Sequence, residues 1–337
     1  VSITGWMNNP DILFDEKILQ KGAEIVKEVN KEMAAIIGIN PAARTTCVKP
    51  SGNASVLLQT ASGIHAEHSN MYIRNVQMNK ESEITQAIMK TNPYMVEDSV
   101  WSAGGTDVVV SFPILPKKGS MYKDDLLGVK HLELVKKAQK HWVEAGTNED
   151  LCADKGVRHN VSNTIIVDNW EEVEKYVFEN RHSFAGISFL AMTGDKDYNQ
   201  APNTAVITAK DMVKKYGNAA VFASGMVVDA LKCFNNLWDA CSTAKGFGED
   251  LSLESSENAM KRDWIRRFGK FADNYLKSDT LLAEHCLKDA YLLHKWNKIQ
   301  STLKTVDWKE DIKERKYTDV DTLAAAACAG GACEIDF

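Results

Sequence analysis

The sequence predicts an α/β fold followed by a helical region, and three observations support this. Over the first two hundred or so residues, short β-branched runs alternate with segments whose apolar residues recur every three or four positions. From Thr208 to about Lys298 the pattern is almost wholly helical. Hydrophobic residues make up 44% of the 337 positions, which is enough for a sizeable core. The alternation is typical of a parallel or mixed sheet or a barrel covered by helices.

The individual elements follow from local patterns. The predicted strands, rich in β-branched residues, are Val1–Trp6, Arg44–Val48, Thr106–Phe112, His159–Val167 and Gly186–Leu190. The predicted helices, with apolar residues at helical spacing, are Asp15–Ile37, a helix start in Ala54–Ala61, Leu126–Val143 and Trp170–Asn180. We expect three regions: an α/β region over 1–207, a helical appendage over 208–305 and a flexible tail over 306–337. The tail is expected to be flexible because its charged and small residues can bury little apolar area.

Composition excludes several classes of protein. The 40 basic and 46 acidic residues give a net charge of -6, so the chain has no electrostatic footprint for duplex nucleic acid. No apolar run approaches the roughly 18 residues of a membrane span, and the N-terminus lacks a signal-peptide pattern. The seven cysteines are odd in number and scattered, which fits a reducing compartment. We therefore expect a cytoplasmic protein without membrane contact.

The first candidate site is the segment Lys49–Ser55, between a predicted strand and a predicted helix. Backbone N–H groups in a first helical turn have no intrahelical acceptor and can bind phosphate. Ser51 and Asn53 suit capping or an anion contact, Gly52 lets an anion approach the backbone, and Lys49 adds positive charge. The same residues also suit an ordinary turn with a serine cap, so the segment alone leaves both interpretations open.

The second candidate is the pair Cys328 and Cys333, which the segment Ala-Gly-Gly-Ala separates near the end of the sequence. Glycines let the intervening backbone turn sharply, so the two thiols can close a small disulfide ring. An exposed dithiol exchanges readily with other disulfides and can carry electrons to an internal pair. A zinc site would need further soft ligands, and none lies close in sequence, so no metal is assigned.

Three polar residues are candidates for a pocket. His65 lies in Gly63–His68, where it and His68 are either metal ligands or, more simply, structural or substrate-positioning side chains. His159 and Asn160 lie where a loop meets a predicted strand, so they either face a pocket or cap the strand. Remaining cysteines are interpreted as small core residues.

Several motifs, taken together, resemble the adenosylcobalamin-dependent (class II) ribonucleotide reductases, and most closely their monomeric, ribonucleoside-triphosphate type. The matching segments are Val1–Gly5, Arg44–Gly52, Ser62–His65, Tyr72–Arg74, His159–Ser162, Phe222–Gly225, Phe234–Cys241 and Cys328–Glu334. They span nearly the whole chain.

The resemblance implies a ten-stranded α/β barrel made of two half-barrels, of which this chain supplies the C-terminal half with a helical appendage. It implies reduction of ribonucleotides to 2′-deoxyribonucleotides for DNA synthesis, by a cysteine radical that adenosylcobalamin generates. It also implies that Pro50, Ser51, Gly52, Asn53 and Ala54, with Ser55 beside them, hold the substrate phosphates. Cys328 and Cys333 correspond to the tail dithiol that re-reduces the active site and is itself reduced by a thioredoxin-like partner.

One family motif is missing. The family's finger loop reads Asn-Pro-Cys-x-Glu, whereas the Asn-Pro steps of this chain are followed by Asp11, Ala42 and Tyr94. We therefore expect a C-terminal piece of a reductase that needs an N-terminal partner carrying the radical cysteine. The alternative is a non-catalytic nucleotide-binding or regulatory module that retains the reductase-like fold.

Overall fold

The computed structural model describes residues 1–192, 198–246 and 256–308. The helices are α1 (Pro10–Leu13), α2 (Glu16–Ile37), α3 (Gly52–Leu57), α4 (Glu83–Thr91), α5 (Gly128–Ala138), α6 (Trp170–Glu179), α7 (Ala209–Tyr216), α8 (Ala219–Ala230), α9 (Leu237–Gly246), α10 (Ser256–Leu276) and α11 (Thr280–Thr302). The strands are β1 (Tyr72–Asn79), β2 (Val96–Asp98), β3 (Asp107–Ile114), β4 (Ile165–Val167), β5 (Phe189–Ala191) and β6 (Asn203–Ala205). None of the helices in these ranges combines the length and apolarity that crossing a bilayer requires.

The described residues divide into two compact units. The first comprises residues 1–70 and 115–192, and the second comprises residues 71–114 together with the described residues from 198 onward. Residues 71–114 are thus grouped with the helical segment, while the expected boundaries at 207 and 305 stay a prediction. The fold is mixed α/β, as the alternating pattern indicates.

The first unit contains a layer of parallel extended segments. Residues 44–48 bridge the N-terminal segment at Ser2 on one side and residues 159–163 at Val161 on the other. Beyond Val161, β4 pairs in parallel with β5. The regular strands of this unit are shorter than the sequence pattern predicts, because most of the pairings between its extended segments are single β-bridges. Among the described residues the layer stays open and does not close into a barrel.

Helices of the first unit confirm the periodicity argument. Helices α2 and α6 begin and end within one residue of their predicted bounds. The predicted helix Leu126–Val143 is present as α5, which a π-helix over Gln139–Glu144 continues. The core of this unit gathers around Trp6, Leu132 and Trp142. The predicted opening strand is wrong beyond Ser2, since a 3-10 helix occupies Trp6–Asn8.

The second unit consists of an antiparallel sheet and a helical bundle that share their cores: Ile73 of β1 lies in the cluster of the bundle, and Ile299 of α11 lies in the cluster of the sheet. The strand order is β2-β3-β1-β6, with Tyr72 opposite Ile114 in the central pair. In the bundle, α8, α10 and α11 surround Trp264, which is fully buried. The helical pattern after Thr208 is confirmed by α7 to α11.

Candidate functional site

The segment Lys49–Ser55 forms a turn into α3, as the sequence predicts, but its serine does not cap the helix. Ser51 occupies the N-cap position without a side-chain cap hydrogen bond. Instead, the Ser51 hydroxyl pairs with the Thr4 hydroxyl at 2.8 Å, and the Ser51 N–H donates to Ser62 Oγ at 2.8 Å. The first-turn amides, from Gly52 onward, therefore receive no serine oxygen. An incoming anion can accept hydrogen bonds from them.

The neighbouring residues Ala54 and Ser55 differ in their exposure. Ala54 is exposed, and Asn53 lies in the first turn. Ser55 is 3% exposed, and its hydroxyl donates to the backbone carbonyls of Ser51 and Gly52. Ser55 thus holds the turn together from inside rather than pointing toward solvent.

The turn is supported by the segment around Gly63. The Gly63 N–H donates to Thr4 Oγ1 at 2.9 Å, and its φ of 54° lies in the left-handed region. A Cβ at this position would lie 2.8 Å from the Lys49 carbonyl oxygen, closer than any side chain can approach. A glycine is required here because the two backbones touch.

Lys49 brings a positive charge to the same place. Its ammonium group donates to Ser162 Oγ at 3.2 Å, and its backbone N–H donates to Ser2 Oγ at 3.0 Å. Because residues alternate in an extended segment, Ser162 and Thr164 point to one face, whereas Val161, Asn163 and Ile165 are buried on the other. The turn at Ser51, Lys49 and these two hydroxyls are thus on one side of the parallel layer.

His65 belongs to this group. Its Nδ1 lies 3.0 Å from the Ser62 carbonyl oxygen, and its Nε2 lies 3.5 Å from Thr164 Oγ1. Burial lowers the pKa of His65 below its ordinary value, against the effect of the Ser62 carbonyl, and Lys123 lowers it further. The ring is therefore neutral at pH 7, with an Nε2 lone pair beside Thr164.

His131, which the sequence did not single out, lies behind this site. Its Nε2 is 3.0 Å from the Ile64 carbonyl oxygen, and burial lowers the pKa of His131 to about 4. It therefore holds residue 64 as a neutral hydrogen-bond donor. Its position within the predicted helix Leu126–Val143 gave no signal that it would meet Ile64.

The structure does not bring His159 to His65. His159 is exposed, and its Nδ1 lies 3.0 Å from the Thr46 carbonyl oxygen, which is a structural contact. Asn160 is half-buried, and its Oδ1 is buried with no hydrogen-bond partner in the part of the chain that the structure describes. By alternation Asn160 shares a face with Ser162, so it is the better candidate for a pocket.

The tail dithiol cannot be located, since Cys328 and Cys333 lie outside the described residues. Of the described cysteines, Cys47 is half-buried and the other four are buried, as expected for core residues. Burial raises the pKa of both Cys241 and Cys286 to about 12, so neither is a thiolate at pH 7.

The described residues show no metal-ligand cluster, and three of their cavities are too small for a cobalamin. No group of three or more His, Cys, Asp or Glu in these ranges could hold a metal ion. Three surface cavities have volumes of about 220, 330 and 430 Å³. Since clefts of about 300–1,000 Å³ suit drug-sized ligands, none of the three would enclose a corrin with its nucleotide loop.

Two curated proteins that are similar to this chain belong to a single family. A probable adenosylcobalamin-dependent ribonucleoside-triphosphate reductase of Dictyostelium discoideum is 28% identical over 123 residues, which are 36% of this chain and 16% of the relative. An adenosylcobalamin-dependent ribonucleoside-triphosphate reductase of Euglena gracilis is 24% identical over 191 residues, which are 56% of this chain and 24% of the relative. The chain is a partial homologue of the class II ribonucleotide reductases.

Two further findings limit the extent of this similarity. A crystal structure of a B-12 dependent (class II) ribonucleotide reductase has a TM-score of 0.49 and 18% identity, covering 58% of this chain and 26% of the reductase chain. No protein-family model matches the chain. The alignments with the two curated reductases span less than a quarter of each reductase's length.

Proposed function

We propose that this chain is the part of a B12-dependent ribonucleotide reductase that binds the substrate phosphates and carries the tail dithiol. The observation that carries the proposal is the uncapped first turn of α3 beside Lys49, within a sequence homologous to these reductases. The amides from Gly52 to Ala54 hold the phosphates, and the Lys49 ammonium balances their charge. His65 and Thr164 form the wall of the site beside them.

The redox role belongs to Cys328 and Cys333. Reduction of the ribose 2′ position oxidises two active-site thiols to a disulfide and releases the 2′ hydroxyl as water. The two tail thiols reduce that disulfide by exchange and become a disulfide themselves. A thioredoxin-like protein then supplies the two electrons and two protons that restore the tail.

Catalysis requires an N-terminal reductase half in this proposal, referred to here as the partner, because the 337 residues contain no Asn-Pro-Cys-x-Glu motif. The partner contributes the radical cysteine, its neighbouring carboxylate and the active-site thiol pair. Binding of adenosylcobalamin belongs to the assembled pair of chains, which form the ten-stranded barrel together. The substrate is a ribonucleoside di- or triphosphate, and the complex works in the cytoplasm.

Reconstitution tests the proposal. The chain is mixed with a reductase segment that carries Asn-Pro-Cys-x-Glu, adenosylcobalamin and a dithiol, and deoxyribonucleotide formation is measured. We expect activity from the mixture and none from either component alone. Gly52→Asp should raise the KM at least tenfold by placing a carboxylate at the phosphate turn, whereas Leu57→Asp at the far end of α3 should leave it unchanged.

Two outcomes would contradict the proposal. Deoxyribonucleotide formation by the isolated chain would remove the need for a partner. Binding of nucleotide at the turn by an assembled complex that forms no deoxyribonucleotide would favour the regulatory module instead.

A further inference from the structure

One side of α2 carries a continuous apolar stripe that nothing in the first unit covers. The stripe consists of Ile18, Ile25, Val29, Met33 and Ile36, and we call it the α2 stripe. The exposed fraction of these side chains lies between 47% and 76%. The neighbouring side of the same helix packs into the unit through Leu19, Ala23 and Ala34, which are all buried.

The apolar face of α2 is therefore wider than its own unit uses. An amphipathic helix at a protein surface normally turns its apolar face to the core and its charged residues to water. A contiguous exposed apolar patch of this kind marks an interaction surface. The helix has 22 residues and is about 33 Å long, so the stripe offers a straight line of side chains for another helix.

The spacing of the stripe is symmetrical about the middle of the helix. Ile18, Ile25, Val29 and Ile36 are separated by seven, four and seven positions. Reversing the helix therefore gives the same pattern, with a two-fold axis at residue 27. α2 itself runs from Glu16 to Ile37, so two antiparallel copies about this axis overlap along their whole length. Four of the five stripe residues then meet an apolar residue: Ile18 faces Ile36, and Ile25 faces Val29.

The charges beside the stripe obey the same symmetry. Lys21 and Glu32 lie on the solvent side of the stripe, on the same edge and almost equally far from residue 27. In the antiparallel pair, Lys21 of each copy approaches Glu32 of the other, which gives two ion pairs across the axis. The only ion pair that Lys21 makes within the described chain is an exposed one, 3.4 Å from Glu24, which it can exchange at little cost.

We propose that the α2 stripe is a self-association surface, on which two copies of this chain pair through antiparallel α2 helices. Such an interface is isologous: the same patch is used on both copies, as two-fold dimers require. The aliphatic part of Lys21 covers Met33 of the other copy while its ammonium group reaches Glu32. This pairing departs from the monomeric type that the sequence resembles, and it does not depend on the proposed reductase function.

Sedimentation equilibrium of the full chain tests the pairing over a wide range of concentration. We expect a monomer–dimer equilibrium. Ile25→Asp should leave only monomer, and Lys21→Glu or Glu32→Lys should weaken the dimer about tenfold each, because each places like charges at two contacts. The double variant Lys21→Glu with Glu32→Lys should restore the affinity to within about threefold of the original. Ile12→Asp, at a residue 55% exposed on α1, serves as the matched control and should change nothing.

Circular dichroism of each variant establishes that the fold is kept, since all the substituted side chains are exposed. A chain that stays monomeric at every concentration would overturn the proposal. A dimer that survives Ile25→Asp, or charge reversals that do not compensate, would do the same. The proposal would also be wrong if Ile25→Asp abolished binding of a partner reductase segment without affecting self-association. The α2 stripe would then bind that segment and not a second copy of the chain.

Discussion

His131 is a single buried side chain whose titration affects the stability of the first unit. It is 3% exposed, and burial lowers its pKa to about 4 from an ordinary value of 6.5. The unfolded chain binds a proton near pH 6.5 and the folded chain does not, so stability is complete above that pH and falls as the pH drops toward 4. The loss amounts to about 3 kcal/mol at most. Burial of His65 acts in the same direction.

Urea unfolding of the chain at about pH 7.5 and about pH 5 measures this effect. His131→Gln keeps a donor for the Ile64 carbonyl but cannot titrate, so we expect it to remove most of the difference between the two conditions. His182→Gln, at an exposed histidine of the same unit, should behave like the unchanged chain. Equal pH dependence in the His131→Gln variant and the unchanged chain would show that another group is responsible.

At the scale of elements, two helix caps of the second unit differ in a way that can be measured. Asp279 precedes α11, and its Oδ1 accepts a hydrogen bond from the Leu282 N–H at 2.9 Å. Ser82 precedes α4 without a side-chain cap hydrogen bond. Asp279→Ala should therefore lower the free energy of unfolding by about 1 kcal/mol, whereas Ser82→Ala should cost only a few tenths.

Urea unfolding monitored by far-ultraviolet circular dichroism compares the two cap variants directly. The comparison is matched because both positions are N-caps within one compact unit. If the serine variant lost as much stability as the aspartate variant, the hydrogen bond to Leu282 would not be the source of the difference.

Elements were predictable from sequence where their stabilising contacts are local. Apolar residues three and four apart place α2 and α6 within a few residues of their bounds, because both helices need only their own periodicity. Arg44–Val48 and His159–Val167 pair with distant segments, so their extended character is predictable but the single bridges they form are not. The strand β1 was not predicted, because polar residues interrupt its apolar pattern, although β3 and β6 both pair with it.

Prediction of the candidate site from sequence has the same limit. The turn at Ser51 was predictable from a serine and a glycine between two elements. Its key feature was not, because the hydroxyl of Ser51 is engaged by Thr4, which lies 47 positions away. Equally, periodicity predicted that α2 is amphipathic but not that half of its apolar face stays exposed. Such facts depend on which distant segments meet.

At the scale of the whole molecule, the proposed shuttle predicts a separation between two kinds of turnover. Replacing Cys328→Ser together with Cys333→Ser leaves the active-site thiols of the assembled reductase intact, so the first turnover needs no tail. Each later turnover requires electrons from thioredoxin, and these reach the active site only through the tail dithiol. We expect the double variant to complete one turnover per active site and then to stop when thioredoxin is the sole reductant.

Rapid-quench measurement of deoxyribonucleotide per assembled complex, with and without excess thioredoxin system, distinguishes the two phases. A small dithiol that reaches the active site directly should restore multiple turnover in the variant. Cys233→Ser is the control, because Cys233 is buried in the bundle and a serine can keep its hydrogen bond to the Asp229 carbonyl. Equal loss of single and multiple turnover in the double variant would instead place the two cysteines in substrate binding or folding, and the shuttle role would be wrong.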